Sequence, residues 1–192
     1  MEQHLAFASN APYPPVQVLG PNARYAAAML SNIGSCNSEM SAVSLYFYNS
    51  IILRPLEAEM AESFHEISIV EMRHLDIFGR LASLLGADPR LWSCARGSRK
   101  EYWSPACNKY PQPPLALVQN ALAGECAAIA QYRRQAGWIQ DPYIVESLNR
   151  IIVDEECHVA IFRQMIERLC PPAAPTPQAA EKTSGGYPPP GP

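Results

Sequence analysis

The stretch Val70–Phe78, VEMRHLDIF, is matched 84 residues later by Asp154–Phe162, DEECHVAIF. Each stretch contains a Glu-x-x-His motif, and Ile-Phe begins three residues after the histidine. In a helix, residues three apart lie on one face, one turn apart. The apolar residues around both motifs recur at three-to-four spacing, which indicates helices. We therefore predict two related helices, each presenting a glutamate and a histidine to the same side.

A second pair of stretches repeats in the same order. Glu39–Tyr46, EMSAVSLY, aligns with Glu125–Tyr132, ECAAIAQY, at an offset of 86 residues. An internal repeat of this kind indicates that the two halves of the chain form the same structural unit. Each unit would be a helical hairpin, in which one helix contributes a glutamate and the next contributes Glu-x-x-His.

Prolines, glycines and polar clusters divide the chain into four helical segments. We predict helices over about residues 22–53, 56–85, 114–138 and 142–169. Short turns join the first pair and the second pair, whereas residues 87–113 form a long irregular crossover. Two antiparallel hairpins joined by one long crossover are the ferritin-like variant of the four-helix bundle. The predicted fold is therefore all-α, a ferritin-like four-helix bundle over residues 22–170.

The two ends of the chain are predicted to lie outside the bundle. Residues 1–21 include Pro12, Pro14 and Pro15 and show no helical period, so we expect an extended N-terminal arm. Residues 171–192 contain eight prolines and three glycines, a composition that does not form a packed element. We expect this segment to be a disordered tail.

Six residues of the repeat are predicted to meet in the core, because the paired glutamates of each hairpin lie at similar distances from its turn. Four unpaired carboxylates in an apolar core would strongly destabilise the protein. Two divalent cations would cancel that charge, so we predict a site for two metal ions. The predicted ligands are Glu39, Glu71, His74, Glu125, Glu155 and His158.

Two copies of the motif support metal binding more strongly than a single copy would. One Glu-x-x-His on a helix is weak evidence of metal binding, and a lone glutamate usually lies on a solvated edge. Here Glu71 and Glu155 lie on the same stripes as Ile67 and Ile151, which favours burial. Carboxylate-rich ligation with two imidazoles suits iron or manganese better than structural zinc, which prefers a closed four-ligand site.

The paired motif resembles that of the ferritin-like dimetal carboxylate superfamily over about residues 22–169. Within that superfamily, the chain looks most like small bacterial rubrerythrin-related and manganese-catalase-like proteins. The resemblance implies that Glu71 and Glu155 bridge the metals and that Glu39 and Glu125 are terminal ligands. It also implies one histidine for each metal.

The resemblance suggests a hydrogen-bond partner for one of the two histidines. In related sites, an aspartate at the position of Asp154 orients the histidine of the opposite helix, so Asp154 would hold His74. Val70 occupies the matching position in the first half. His158 would therefore need a different partner.

Other polar residues have less specific interpretations. Tyr46 and Tyr132 lie seven residues after their glutamates, on the same helix face. Their hydroxyls could contact a ligand or bound oxygen species, or they could be core tyrosines with satisfied hydroxyls. Cys36 lies one turn before Glu39 and could approach the metals, although a small buried thiol that fills space is the simpler interpretation. Cys94 and Cys107 lack metal-like spacing.

Composition excludes several function classes. A net charge of −3 with scattered basic residues gives no case for nucleic-acid binding. No run of 18 or more apolar residues suggests a membrane span. The six cysteines include no C-x-x-C pair, which argues against a rubredoxin-type site, and we expect a cytoplasmic protein with reduced thiols. Charged residues make up only 17% of the chain, so we expect a homo-oligomer that covers part of its surface.

Two adjacent redox metals favour reactions that cleave an O–O bond. We therefore predict an oxidoreductase acting on hydrogen peroxide or dioxygen, with the dimetal centre itself as the catalytic group. It could be a catalase, or a peroxidase that takes electrons from a separate donor protein. Rubrerythrins carry a further glutamate where this chain has Ala128, and no rubredoxin-like domain is present. Both differences favour catalase-type turnover.

Two alternatives belong to other function classes. One is oxidation and storage of ferrous iron, although the proline-rich segment after Leu169 does not provide the short fifth helix of a cage-forming ferritin. The other is a structural or coat-type protein whose metals lock the bundle without turnover.

Overall fold

The computed structural model describes residues 6–94 and 100–171. Within these ranges, the chain forms five α-helices, a two-stranded antiparallel sheet and one 3-10 turn. Their bounds are α1 Ala23–Gly34, α2 Glu39–Leu53, α3 Ala58–Leu84, β1 Trp92–Cys94, β2 Lys100–Tyr102, the 3-10 turn Pro105–Cys107, α4 Pro114–Ala136 and α5 Pro142–Leu169. The predicted all-α, ferritin-like bundle of two antiparallel hairpins is confirmed. The predicted tail lies almost entirely outside the described residues.

The prediction of one helix over residues 22–53 is wrong, because α1 ends at Gly34 and α2 begins at Glu39. The four residues between them are Ser-Cys-Asn-Ser, whose short polar side chains bond to nearby backbone groups and compete with helix formation. The Ser35 hydroxyl donates to the carbonyl of Asn37, 2.8 Å away, and the Ser41 hydroxyl donates to that of Cys36, 2.9 Å away. The break lets α1 lie across α3 and β1, while α2 lies in the bundle.

The crossover over residues 87–113 is also more ordered than predicted. Strands β1 and β2 pair with Trp92 opposite Tyr102, and the two rings lie 5.5 Å apart. The Lys100 ammonium lies 3.8 Å from the centroid of the Trp92 ring. Cross-strand aromatic and cation–π contacts of this kind stabilise a short hairpin. An irregular connection was therefore the wrong expectation for these residues.

Gly86 ends the first hairpin as a helix cap. Its φ of 91° lies in the left-handed region that glycine adopts without strain. The amide of Ala87 donates to the carbonyl of Ala82, 3.0 Å away, which is the closing bond of a Schellman cap.

The apolar core is divided into two clusters at opposite ends of the bundle. One cluster includes Phe78, Tyr132 and Ile151, and the other includes Phe64 and Leu117. Along α3, α4 and α5, the predicted metal ligands lie at the level where one cluster gives way to the other. The polar groups thus form a slab between two dry layers. Among the described residues, no helix is long and apolar enough to cross a membrane.

Substitution at Gly34 tests the junction of α1 with the crossover. A β-carbon at this position would lie 2.2 Å from the backbone nitrogen of Trp92, a clash that only backbone movement relieves. We expect Gly34→Ala to lower the free energy of unfolding by about 1–3 kcal/mol, the usual range for overpacking. Chemical denaturation followed by circular dichroism measures this change.

Gly79 in α3 provides the matched control, because nothing lies within 4 Å of a β-carbon added there. Gly79→Ala should raise the free energy of unfolding by up to about 1 kcal/mol, since alanine favours a helix interior over glycine. Equal effects of the two substitutions would contradict the described packing of Gly34.

Candidate metal centre

The structure brings all six predicted ligands together in the middle of the bundle. They come from α2, α3, α4 and α5, and none of them is more than 2% exposed. The residues are Glu39, Glu71, His74, Glu125, Glu155 and His158. Burial of so many ionisable groups is rare unless they are paired or bind a metal.

Their ligand atoms form two groups of four, within each of which all atoms lie within 4.8 Å of one another. The first group is Glu39, Glu71, His74 and Glu155, and the second is Glu71, Glu125, Glu155 and His158. The two groups share Glu71 and Glu155. Each group also has one glutamate and one histidine of its own. The resemblance implied that the two shared residues bridge the metals and that Glu39 and Glu125 are terminal ligands, and these roles stay a prediction.

Both histidines direct Nδ1 into the carboxylate cluster. His74 Nδ1 lies 3.1 Å from Glu71 Oε2 and 3.2 Å from Glu155 Oε1. His158 Nδ1 lies 3.0 Å from Glu71 Oε1 and 3.0 Å from Glu155 Oε2. Two metal ions between these groups would therefore be bound through Nδ1, and Nε2 would face outward.

The outward nitrogens have different partners. His74 Nε2 donates to Asp154 Oδ2, 3.2 Å away, so the structure places Asp154 where the sequence analysis expected it. His158 Nε2 donates to the backbone carbonyl of Phe7, 2.9 Å away. A hydrogen bond at Nε2 fixes the tautomer that leaves Nδ1 free to bind a metal.

Asp154 is the centre of a network that includes the N-terminal arm. It accepts hydrogen bonds from the Tyr13 hydroxyl and from the amide of Ser9, the latter 2.7 Å away, and its Oδ1 lies 2.6 Å from Arg150 Nη1. Burial opposes ionisation of Asp154, but hydrogen bonds from His74, Arg150 and Tyr13 outweigh it and hold the pKa well below its usual range. The arm therefore contributes directly to the surroundings of His74.

Tyr13 was not predicted to lie near the metal centre. Its ring lies between two guanidinium groups, 4.2 Å from Arg73 and 4.1 Å from Arg150. Arg150 also donates to the carbonyls of Ser9 and Ala11, each 2.9 Å away. The only sequence signal at this position was an aromatic residue among prolines. Nothing in the sequence of a non-helical arm indicates which helix that residue will contact.

The two tyrosines of the repeat connect the hairpins crosswise. Tyr46 donates to Glu125, and Tyr132 donates to Glu39. Burial raises the pKa of both phenols well above its usual value, and the nearby carboxylates raise it further. The tyrosines therefore remain neutral donors that orient the two unshared glutamates.

Without metal, the cluster balances its charge internally. Burial and the neighbouring Glu71 and Glu155 raise the pKa of Glu39 and Glu125 well above its usual range, which favours the neutral form of both acids. Burial also opposes ionisation of Glu71 and Glu155, but the histidines outweigh it and lower the pKa of both.

The histidines carry the opposite charge. Burial alone would lower the pKa of His158, but Glu71 and Glu155 raise it to about 9. The pKa of His74 is also raised well above its usual value, mainly by Glu155 and Asp154. Two imidazolium ions thus face two carboxylates.

The donor set fits two metal ions. Each histidine Nδ1 is shared between two carboxylate oxygens, and Glu71 Oε1 and Glu155 Oε1 are buried with no hydrogen bond of their own among the described residues. Buried oxygens that lack a hydrogen bond are costly, and a metal ion would satisfy both. Four carboxylates with two imidazoles are donors that suit iron or manganese.

A cavity of about 290 Å³ leads to the cluster between α2 and α4. It reaches Glu39 and Glu125, and Ala128 is part of its wall. Rubrerythrin-like proteins would carry a glutamate at the position of Ala128, and here the small side chain leaves space beside the predicted metal site. The cavity can admit a small molecule.

The cavity mouth contains a disulfide between Cys36 and Cys107. The expectation of reduced thiols is therefore wrong for these two residues. Cys36 is not a buried thiol that fills space, since it lies exposed in the break between α1 and α2. Cys126, Cys157 and Cys170 are free.

Solved structures with similar folds support this architecture. A manganese catalase, KatB from Anabaena, superposes with a TM-score of 0.74 at 18% identity, over 97% of this chain and 87% of that chain. Bacterioferritin from Rhodobacter capsulatus superposes with a TM-score of 0.66 at 23% identity, over 78% of this chain and 88% of that chain. A dodecameric thioferritin from Bacteroides fragilis superposes with a TM-score of 0.62 at 14% identity, over 78% of this chain and 88% of that chain. The chain has the ferritin-like fold.

Overall sequence identity to these structures is low, at 14–23%. No protein-family profile matches the chain, and no curated protein matches it. The ferritin-like fold is therefore what connects this chain to the proteins above.

Asp154→Asn tests the network behind His74. The substitution leaves Arg150 without its buried anion and removes the charge that faces His74. Breaking a buried ion pair by changing one partner usually costs about 3–5 kcal/mol. We expect a loss of that order in the free energy of unfolding of the metal-free protein, measured by urea denaturation.

Asp76→Asn is the control, because Asp76 is an exposed residue of α3 that pairs with Arg80 at 3.7 Å. Exposed ion pairs contribute little, so this variant should unfold like the unmodified protein. If Asp154→Asn behaved in the same way, the network would not stabilise the bundle.

Proposed function

We propose that this ferritin-like bundle binds two metal ions, iron or manganese, and acts on hydrogen peroxide as a catalase-type oxidoreductase. The observation that carries the proposal is the pair of buried ligand groups that share Glu71 and Glu155. The likeness to a manganese catalase over nearly the whole chain supports it. The proposal also includes a homo-oligomer, whereas a cytoplasmic location stays a prediction.

Two adjacent redox ions would supply the two-electron chemistry that breaks an O–O bond. The protein's own residues hold and orient the site. Glu71 and Glu155 would bridge the ions, and each histidine would bind one ion through Nδ1. The hydroxyls of Tyr46 and Tyr132 fix the terminal carboxylates, so that these groups stay in place when a substrate enters.

The cavity favours a small neutral substrate. Apart from Glu39 and Glu125 at its inner end, its described lining contains neutral side chains and one cation, Lys109. No carboxylate near the mouth would attract ferrous ions, whereas hydrogen peroxide carries no charge. This lining supports peroxide turnover over iron uptake.

A catalase-type reaction also needs no electrons from outside. Two peroxide molecules give two waters and one dioxygen, so that one peroxide is oxidised and the other is reduced. The chain has no C-x-x-C pair for a rubredoxin-type donor site. These features favour disproportionation over a peroxidase reaction with a protein donor.

Glu155→Gln tests the metal site. Glutamine has the same shape but lacks the negative charge that a bridging ligand needs. The unmodified protein loaded with manganese or iron should contain two ions per chain and release oxygen from peroxide without a reductant. The variant should lose both properties. Elemental analysis and an oxygen electrode measure them.

The control is Glu156→Gln, which changes the neighbouring exposed residue, paired with Arg133 at 2.6 Å. It should retain both metal and turnover. If the unmodified protein bound metal but released no oxygen from peroxide, the result would contradict the proposed catalase activity. In that case, rapid ferrous oxidation would favour iron storage, and inertness to both substrates would favour a structural role.

Metal loading should release protons. The metal-free cluster holds two neutral carboxylic acids, Glu39 and Glu125, and two imidazolium ions, His74 and His158. Two divalent ions would displace these four protons, because metal ligands must be deprotonated. We therefore expect release of about four protons per two ions near neutral pH, and tighter binding as the pH rises.

Calorimetric titration in buffers with different ionisation enthalpies counts these protons. Release of none would contradict the charge states described above. The Glu156→Gln variant should release as many protons as the unmodified protein.

A further inference from the structure

The Cys36–Cys107 disulfide lies at a position that the proposed metal chemistry does not use. Both cysteines line the cavity that reaches Glu39 and Glu125. Cys36 is exposed, and Cys107 is half-buried. The sulfur atoms and the two carboxylates therefore face the same cavity. Accessible disulfides are the ones that are readily reduced, whereas buried structural ones are resistant.

The two cysteines are held together by contacts other than the S–S bond. Asn108, next to Cys107, donates to the Ser41 carbonyl at 3.2 Å and to the Ser44 hydroxyl at 2.7 Å. Trp103 donates to the Ser41 hydroxyl at 2.9 Å.

The same Ser41 hydroxyl bonds to the carbonyl of Cys36 at 2.9 Å. The crossover and the α1–α2 break thus stay attached to α2 without the disulfide. Reduction would leave two thiols side by side, with Cα atoms 4.7 Å apart.

We propose that Cys36 and Cys107 form a second, redox-active site, which reduces hydrogen peroxide to water at the mouth of the cavity. The site would use a soluble dithiol as its reductant. This activity goes beyond the proposed function, because it needs no metal and releases no oxygen.

The reaction balances as hydrogen peroxide plus two thiols giving one disulfide and two waters. Cys36, the more exposed of the two, attacks one peroxide oxygen as a thiolate. The S–O bond forms, the O–O bond breaks, and the hydroxide that leaves takes up a proton to become water. The Cys107 thiol then attacks the Cys36 sulfur. The S–S bond forms, the S–O bond breaks, and the second water leaves.

The disulfide returns to two thiols by exchange with the external dithiol. A thiolate of the reductant attacks the exposed Cys36 sulfur, Cys107 leaves as a thiol, and a second attack releases the oxidised reductant. Two electrons and two protons pass from the dithiol to the pair. Each cycle therefore consumes one dithiol and one peroxide.

The test uses the full chain after metal removal, with dithiothreitol as the dithiol. Peroxide consumption, dithiol oxidation and oxygen release are measured together, after subtraction of the reaction without protein. The metal-free protein should consume peroxide and dithiol in equal amounts and release no oxygen. Cys36→Ser/Cys107→Ser should lose this activity. Cys126→Ser/Cys170→Ser, which changes two exposed cysteines outside the cavity lining, should retain it.

A second measurement does not depend on the stability of the double variant. The single variant Cys107→Ser keeps the attacking thiol, so peroxide should leave a sulfenic acid at Cys36 that dimedone labels and mass spectrometry locates. In the reduced unmodified protein, one equivalent of peroxide should restore the Cys36–Cys107 disulfide.

The proposal is overturned if peroxide fails to restore the disulfide, or if the double variant consumes dithiol as fast as the Cys126→Ser/Cys170→Ser control. The disulfide would then serve only to brace the cavity mouth. Failure of the metal proposal is distinct: the metal-loaded protein would release no oxygen while the thiol cycle continued.

Discussion

Four carboxyl groups buried within one slab of the bundle set the constraint on which the rest of the structure depends. Without cations, the cluster is neutral because two of the acids keep their protons and two imidazolium rings face the other two. Two divalent cations and four carboxylates would be neutral as well. The core can therefore exchange protons for metal without a change in net charge, which avoids the large cost of an uncompensated buried ion.

The N-terminal arm completes this slab from outside the four helices. It supplies the Phe7 carbonyl to one histidine, and Tyr13 joins Asp154 behind the other. The cavity lies on another side, between α2 and α4. One face of the centre is thus closed by the arm, while the opposite pair of helices leaves a route for small molecules. Charge balance, histidine orientation and access are provided by separate parts of the chain.

Features that repeat or follow a helical period were accessible from the sequence. The two copies of Glu-x-x-His indicated the six clustered residues and the ferritin-like fold, and the break at residues 35–38 had an overlooked signal in its serines and asparagine. Contacts between distant, non-periodic segments were not accessible. Tyr13 meets Asp154 across 141 residues, and Cys36 meets Cys107 across 71. No local pattern specifies such pairs, because they result from where a loop happens to run on the finished bundle.

The partner of His158 differs in kind from that of His74. A backbone carbonyl is present whatever amino acid occupies position 7, so point mutation cannot delete it. A single substitution at Asp154, in contrast, removes its carboxylate. The two halves of the repeat thus differ in their tolerance of substitution. His74 relies on one particular side chain, whereas His158 relies on a main-chain carbonyl that any residue at position 7 provides.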